Sequence, residues 1–387
     1  MARRRVPVDV AQLRNWKLID AFRSRVLPLL ERRVPHPSEE DPRRVLEAID
    51  YFSAFLMAVF NPAISSLRAL CEVSHCGKMR AVTQKPLTAS SFSEAQHLFS
   101  PKILDQVARQ LTREVGAKSL GEERHGGDAR VRQALKRLSA IDGTVWRGVN
   151  RMLWAPAAGS GQAVRLHLHF AVFEQTPEDW TITPGSASEP HVLAQKLQKG
   201  AFYVIDRLYA QRHQFLQEMQ EAGADFVVRL NNNVILTPEA PERPLSPADR
   251  QAGVVWDRPM RLGVHGSGPV IRVVRVQAQD KIFHLATSRQ DLEAELIGLI
   301  YRQRWEIEVF FKWIKTLLNG GHWFAESPAG AQIQIYCVLI CALLLMLWTG
   351  ARPNKRMIEA LRFYQMGWAT QEELALLLKR AQGAQKI

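Results

Sequence analysis

Leu138-Ser-Ala-Ile-Asp-Gly-Thr-Val-Trp146 is where the hydrophobic period of the chain changes from about 3.6 residues to about two, and that change decides the fold. Ahead of it, Val10 to Glu31, Pro42 to Phe60, Asn61 to Val73 and Pro101 to Val115 carry helical periodicity, with Pro, Ser or Gly breaks between them. Residues 1–118 are therefore expected to form a helical unit, with Ser91 or Ser93 as an N-cap inside it, and residues 119–135, rich in Gly and charge, a linker. Behind it, Val164, Leu166, Leu168, Phe170 and Val172 alternate with Arg165, His167 and His169, which predicts a half-buried second strand with the two histidines on its solvent side. Asp179 to Thr183 reads as a third strand and His191 to Gln198 as a helix. Ala201 to Ile205 has the length of a buried central strand, ending at Asp206. A helix over Gln211 to Ala222 stops at Gly223, and Asp225 to Leu230 is a fifth strand.

The order β-β-β-α-β-α-β is that of an α/β protein with a ribonuclease H-like core over residues 136–230. Short strands at Val254 to Trp256, Val270 to Val276 and Lys281 to Ala286 then predict a β-rich insertion over 231–289, ahead of a helical segment at 290–325 that completes the core. Residues 326–387 are a C-terminal helical region and a candidate dimerisation element. Its apolar run Ile335–Trp348, 14 residues long, is too short to span a bilayer and reads as a buried helix containing Cys337 and Cys341. Cys71, His75 and Cys76 lack a fourth ligand and fit no common zinc spacing.

The chain carries 51 Lys and Arg against 38 Asp and Glu, a formal +13. Residues 1–140 hold 24 basic and 15 acidic side chains, which puts +9 there and leaves +4 for the remainder. Such a balance favours a polyanionic partner, nucleic acid before an anionic membrane surface. Arg3-Arg4-Arg5 could be a phosphate or minor-groove arm. Since no apolar segment follows it, no signal peptide is expected, and the protein is expected in the cytoplasm, associated with the nucleoid.

Nothing in residues 295–318 breaks a helix, and Asn319-Gly320-Gly321 follows as a stop. At about 100° per residue, with Tyr301 at zero, Arg304 falls near about −60°, Glu308 near about −20° and Lys315 near about −40°. These four polar side chains make one stripe, opposite Phe310, Phe311, Trp313, Ile314, Leu317 and Leu318. Three carboxylates stand out by position: Asp142 mid-strand, Asp206 at the carboxyl edge of a buried strand and Glu308 on the helix. Brought together they would repel unless divalent cations bind, and two Mg²⁺ ions roughly 3.5–4 Å apart suit in-line phosphoryl displacement.

The spacing Tyr301-x2-Arg304-x3-Glu308-x6-Lys315 resembles the YREK signature of bacterial insertion-sequence DDE transposases of family four, and Asp142-Gly-Thr and Asp206-Arg207-x-Tyr209 resemble the blocks of that family's two catalytic aspartates. The resemblance implies a DNA transposase that binds its element's terminal inverted repeats, cleaves the ends and joins the 3′ ends to target DNA, acting as a homodimer in a synaptic complex. Asp142, Asp206 and Glu308 would be catalytic metal ligands for two Mg²⁺ ions, with Mn²⁺ able to substitute. Tyr301, Arg304, Lys315 and Arg207 would contact DNA phosphates, and Trp256 would stack on a base. Leu208 stands where the family commonly has Gly, which puts the turn after Asp206 in question. Two alternatives stay open at this stage: a ribonuclease H-like nuclease that never joins ends, and a non-catalytic DNA-binding repressor derived from a transposase.

Overall fold

The computed structural model describes residues 15–383 other than 43, 45, 62, 119–128, 264–267, 280, 318–321 and 351. The Arg3-Arg4-Arg5 arm, most of the 119–135 linker, Leu318 and the Asn319-Gly320-Gly321 stop lie outside the described residues.

Among the described residues, nine strands form one sheet in the order β3-β2-β1-β4-β5-β9-β8-β7-β6. They are β1 (Leu138–Arg147), β2 (Ala163–Ala171), β3 (Thr176–Pro184), β4 (Phe202–Ile205), β5 (Asp225–Arg229), β6 (Leu236–Pro238), β7 (Val254–Leu262), β8 (Val270–Ala278) and β9 (Lys281–Thr287). β1, β4 and β5 run parallel, with Ile141 opposite Ile205 and Ile205 opposite Val228. β9, β8, β7 and β6 continue antiparallel from β5, so the strands of the 231–289 segment lengthen the central sheet. A four-residue run as apolar as β4 is buried on both faces because it is the middle strand of a parallel set.

The helices before β1 are α1 (Asn15–Arg32), α2 (Ala48–Phe60), α3 (Leu67–Ser74), α4 (Gly77–Thr83), α5 (Ala89–Leu98), α6 (Lys102–Gly116) and α7 (Ala129–Leu135). After it come α8 (Glu189–Ala194), α9 (His213–Glu221), α10 (Pro247–Gln251), α11 (Ala294–Gln303), α12 (Trp305–Leu317), α13 (Pro328–Thr349), α14 (Lys355–Gln365) and α15 (Gln371–Gly383). The chain divides into two compact units. One comprises residues 1–120, 146–164 and 311–387, and the other 121–145 and 165–310.

In the first unit, α13 packs on α2 and α6, so the N-terminal and C-terminal helices share one core. At 22 residues α13 is long and apolar enough to cross a membrane, yet Ile333, Cys337, Val338, Cys341 and Leu345 are fully buried within the protein, as expected of a core helix. An aromatic cluster of Tyr51, Phe55, Phe92 and Phe99 fills the space between α2 and α5. The cap of α5 differs from expectation. Thr88 is the N-cap and Ser91 is its capping-box partner, because a hydroxyl three residues before the first free amide reaches it best.

In the second unit, α8 and α9 cover the sheet face carrying Tyr203 and Ile205, with Phe215, Leu216 and Met219 packed there. Gly223 ends the turn after α9 at φ 70°, the left-handed conformation a helix stop requires. Of the expected linker, residues 129–135 form α7, tied by Arg130 to Glu293 and Glu295. His167 and His169 correct the expectation of a solvent side: both are buried, at 5% and 8% exposure. Alternation marks two faces, but it marks a wet one only where nothing covers it. Here the segment after α8 lies over that face, with Lys196 tied to Asp179 and to the Trp180 carbonyl and the Gln198 amide donating to Tyr203. His167 Nε2 is 2.9 Å from Thr183 Oγ1, His169 meets Tyr203 edge-on, and burial pushes both imidazoles down to about 4.

Candidate active site

The paired register of β1 and β4 ends at Ile141 and Ile205, so Asp142 and Asp206 are the next residues on two neighbouring parallel strands, about 4.8 Å apart along the hydrogen-bonding direction. Both carboxylates are held alike: Asp142 Oδ1 accepts from the Gly143 amide at 2.8 Å, and Asp206 Oδ1 from the Arg207 amide at 2.7 Å. Each uses one oxygen on the backbone, which leaves Oδ2 for another partner.

The helical stretch after β9 is not one helix. It divides at Arg304, where the Arg304 amide bonds the Tyr301 carbonyl and the Ile307 amide bonds the Arg304 carbonyl, a tight i to i+3 turn between α11 and α12. No Gly or Pro marks the break. Its effect is to seat the Arg304 guanidinium among carboxylates, with Nη1 2.5 Å from Glu308 Oε1 and 4.0 Å from Asp142 Oδ2. Tyr301 keeps its place beside Arg304, whose guanidinium carbon lies 5.9 Å from the ring centroid, and burial pushes the Tyr301 hydroxyl up. Ile307, Phe310, Phe311, Trp313 and Ile314 are buried, as the helical stripe predicts. Lys315 belongs to the other unit and is exposed, its ammonium 5.9 Å from the Trp146 ring centroid.

The Asp142 carboxyl is strongly perturbed. Burial first, and then the neighbouring Glu189 carboxylate, raise it to about 7 against the opposing pull of the Gly143 amide and Arg304, while Asp206 adds to the rise. Such a carboxylate gains strongly from a cation. Three carboxylates are the hard oxygen donors that Mg²⁺ takes, and the chemistry of the set fits that ion. Among the described residues no three His, Cys, Asp or Glu side chains form a finished metal cage, and Arg304 supplies the compensating charge between Asp142 and Glu308.

The turn after Asp206 is a short 3-10 segment in which Leu208 sits at φ −56°, right-handed backbone that any residue adopts, so it requires no glycine. Arg207 is exposed, whereas Tyr209 is 1% exposed with its hydroxyl directed at Glu189. Trp256 on β7 is half-buried, with the Arg258 guanidinium 5.3 Å and the His284 ring 5.8 Å from its own. A cavity of about 350 Å³ opens beside Tyr301, Arg304 and the exposed Trp305 and is floored by Val254, Val276 and Leu285.

Glu189 and Arg165 were not singled out from the sequence. A glutamate between Ser188 and Pro190 is an ordinary helix-start residue, and an arginine on an alternating strand an ordinary surface one.

Comparison with known proteins gives the family. The transposase DDE domain family matches residues 133–344, and the chain belongs to it. It is similar to "Probable transposase for insertion sequence element IS5377" of Geobacillus stearothermophilus, 28% identical over 232 residues that make up 59% of this chain and 60% of that protein. The match thus spans under two thirds of that relative's length. Among solved structures, the piggyBac transposase synaptic complex with hairpin DNA aligns with 97% of this chain and 82% of its own at 12% identity and a TM-score of 0.44.

Proposed function

We propose that the protein is a DNA transposase of bacterial insertion-sequence type with a ribonuclease H-like catalytic core, cleaving its element's ends and joining the 3′ ends to target DNA. The observation that carries this reading is the placement of Asp142, within β1, and Asp206, just past the end of β4, side by side on adjacent parallel strands, with Glu308 drawn toward Asp142 through Arg304. Asp142, Asp206 and Glu308 hold Mg²⁺, with Mn²⁺ a substitute. When bound, the ions supply positive charge for the attacking and leaving oxygens of an in-line displacement.

Asp142 and Asp206, each fixed to a backbone amide by one oxygen, present the other at a set height above the sheet edge. Arg304 balances the carboxylates until a cation does so, and is then available with Tyr301 for the phosphate at the cut site, a role for which a planar guanidinium is suited. Lys315, two turns along the same helix, and the exposed Arg207 add positive charge for the DNA backbone. Trp256 would stack on a base only after Arg258 withdraws from its ring. The family-four assignment from the Tyr301, Arg304, Glu308 and Lys315 spacing belongs to this proposal, as do pairing of two protomers in a synaptic complex and location at the nucleoid.

The test is a DNA duplex carrying the inverted repeats that flank the gene, incubated with protein, Mg²⁺ and a second DNA. Cleavage followed by 3′-end transfer supports the reading. Cleavage without transfer leaves a nuclease, and binding without cleavage a repressor.

A further inference from the structure

Gly143 is a residue of β1 with no need of unusual backbone, so its smallness answers to space. A Cβ there would lie 2.9 Å from both Cδ and Oε1 of Glu189, closer than carbon atoms approach. Pleat alternation puts Gly143 on the face of β1 opposite Asp142, the same face as Arg165, His167 and His169 on the neighbouring β2. Glu189 therefore meets the Asp142 strand from behind, backbone against carboxylate.

The same carboxylate is bonded on both oxygens. Oε1 accepts from Arg165 Nη1, and Arg165 Nη2 is fixed in turn by the Gly185 carbonyl at 3.0 Å. Oε2 accepts from the Tyr209 hydroxyl at 3.2 Å, and Tyr209 belongs to the turn that follows Asp206, its amide bonding the Asp206 carbonyl at 3.1 Å. Glu189 is 8% exposed and Tyr209 1%. One buried carboxylate thus fills the space beside Gly143, just after Asp142, on one side and bonds Tyr209, in the turn just after Asp206, on the other.

We propose that Glu189, oriented by Arg165 and Tyr209, is a positioning residue that sets the spacing of the two neighbouring strands at Asp142 and Asp206, and so the cation affinity of that pair. It is assigned no ligand role, since both its oxygens already accept hydrogen bonds and it lies on the Gly143 side of β1. Glycine after Asp142 and tyrosine three residues after Asp206 are then two halves of one contact, each shaped to the same carboxylate. This inference rests on the reading of Asp142 and Asp206 as the cation-holding pair.

The experiment is Mn²⁺ binding to the full-length, DNA-free protein, measured by the loss of the free-ion paramagnetic resonance signal, together with thermal unfolding. The variants are Glu189→Gln, Tyr209→Phe, Arg165→Met and Asp142→Asn. Glu189→Gln is expected to weaken Mn²⁺ binding at least tenfold, and Tyr209→Phe and Arg165→Met each three- to tenfold, at temperatures where all remain folded. A purely structural role would lower the melting temperature and leave the affinity of the folded protein unchanged, which overturns the proposal. Weakening in Glu189→Gln alone, with Tyr209→Phe and Arg165→Met at parental affinity, overturns it too, since Glu189 would then be a ligand. Should Arg165→Met fail to fold, Tyr209→Phe carries the distinction, because it removes one oxygen and keeps the ring. Unchanged Mn²⁺ binding by Asp142→Asn would instead strike down the underlying reading of the site. That result is separable from the others because it does not involve Glu189.

Discussion

At Asp142, burial and the Glu189 carboxylate put function in tension with stability. Its carboxyl titrates at about 7 in the fold and near about 4 in an unfolded chain, so between those values the folded protein holds a proton that the unfolded one lacks. Stability contributed here is present in acid and falls as pH rises through that window. Without divalent ions, Asp142→Asn should melt several degrees higher than the parent at pH 8 and match it near pH 4, as thermal unfolding across pH would show. A parent and variant that stay parallel would contradict the burial of this charge. Cations compete with the same proton, so Mg²⁺-dependent cleavage should climb with pH up to about 7 and level off above it. Glu308 and Glu306 separate on similar grounds. Glu308 faces Arg304, while the half-buried Glu306 points elsewhere on α12. Glu308→Gln should lose cleavage and strand transfer with little change in melting temperature. Glu306→Gln should keep the chemistry and lose roughly 1 kcal/mol of stability, and a catalytically dead Glu306→Gln would show the reading of α12 to be in error.

The start of α11 is held by contacts from distant strands and from α10. Asp257 on β7 and Arg272 on β8 form an ion pair with side chains 4% and 2% exposed, and Arg272 also donates to the carbonyls of Arg289 and Leu292 in the loop that leads into the helix. Asp249 adds a second anchor by accepting from the Glu295 amide at 2.8 Å. The four added strands therefore do more than widen the sheet: they fix where α11 begins and hence where Tyr301 and Arg304 fall. Arg272→Met strands a buried carboxylate and should cost about 3–5 kcal/mol, whereas pairing it with Asp257→Leu should recover much of the loss. Chemical denaturation of both variants beside the parent measures this, and equal instability of the single and double variants would show that the carbonyl bonds, not the charge pair, carry the anchor.

For the whole molecule, the shared core of α2, α6 and α13 determines which truncations are informative. A chain starting near residue 122 uncovers the apolar surface of α13 and should sediment with the insoluble fraction, so loss of DNA binding in it would say nothing about residues 1–118. Neutralising exposed cations in place is the cleaner approach. Replacing Arg68, Arg80 and Lys85 with Ala should leave the melting temperature within a few degrees, weaken DNA binding and flatten its salt dependence by up to about three counterions. An unchanged salt slope would remove that face of the helical unit from the DNA contact.

What the sequence determined by itself was local. Strand positions, the burial of β4, the stop at Gly223, the apolar stripe of α12 and the location of Asp142 within β1 and of Asp206 at the end of β4 all follow from periodicity and from residues whose backbone preferences act over a few positions. What only the tertiary structure decided lies in contacts between distant segments. The cover over His167 and His169 comes from a segment nearly thirty residues on, and the common core of α2 and α13 joins helices whose paired residues, Phe52 and Cys337, are 285 positions apart. Glu189 is the sharpest case. Nothing in Ser188-Glu189-Pro190 marks it, because its role depends on a glycine, an arginine and a tyrosine from three other elements. Side-chain alternation can say which face a residue occupies, but only packing says what that face meets.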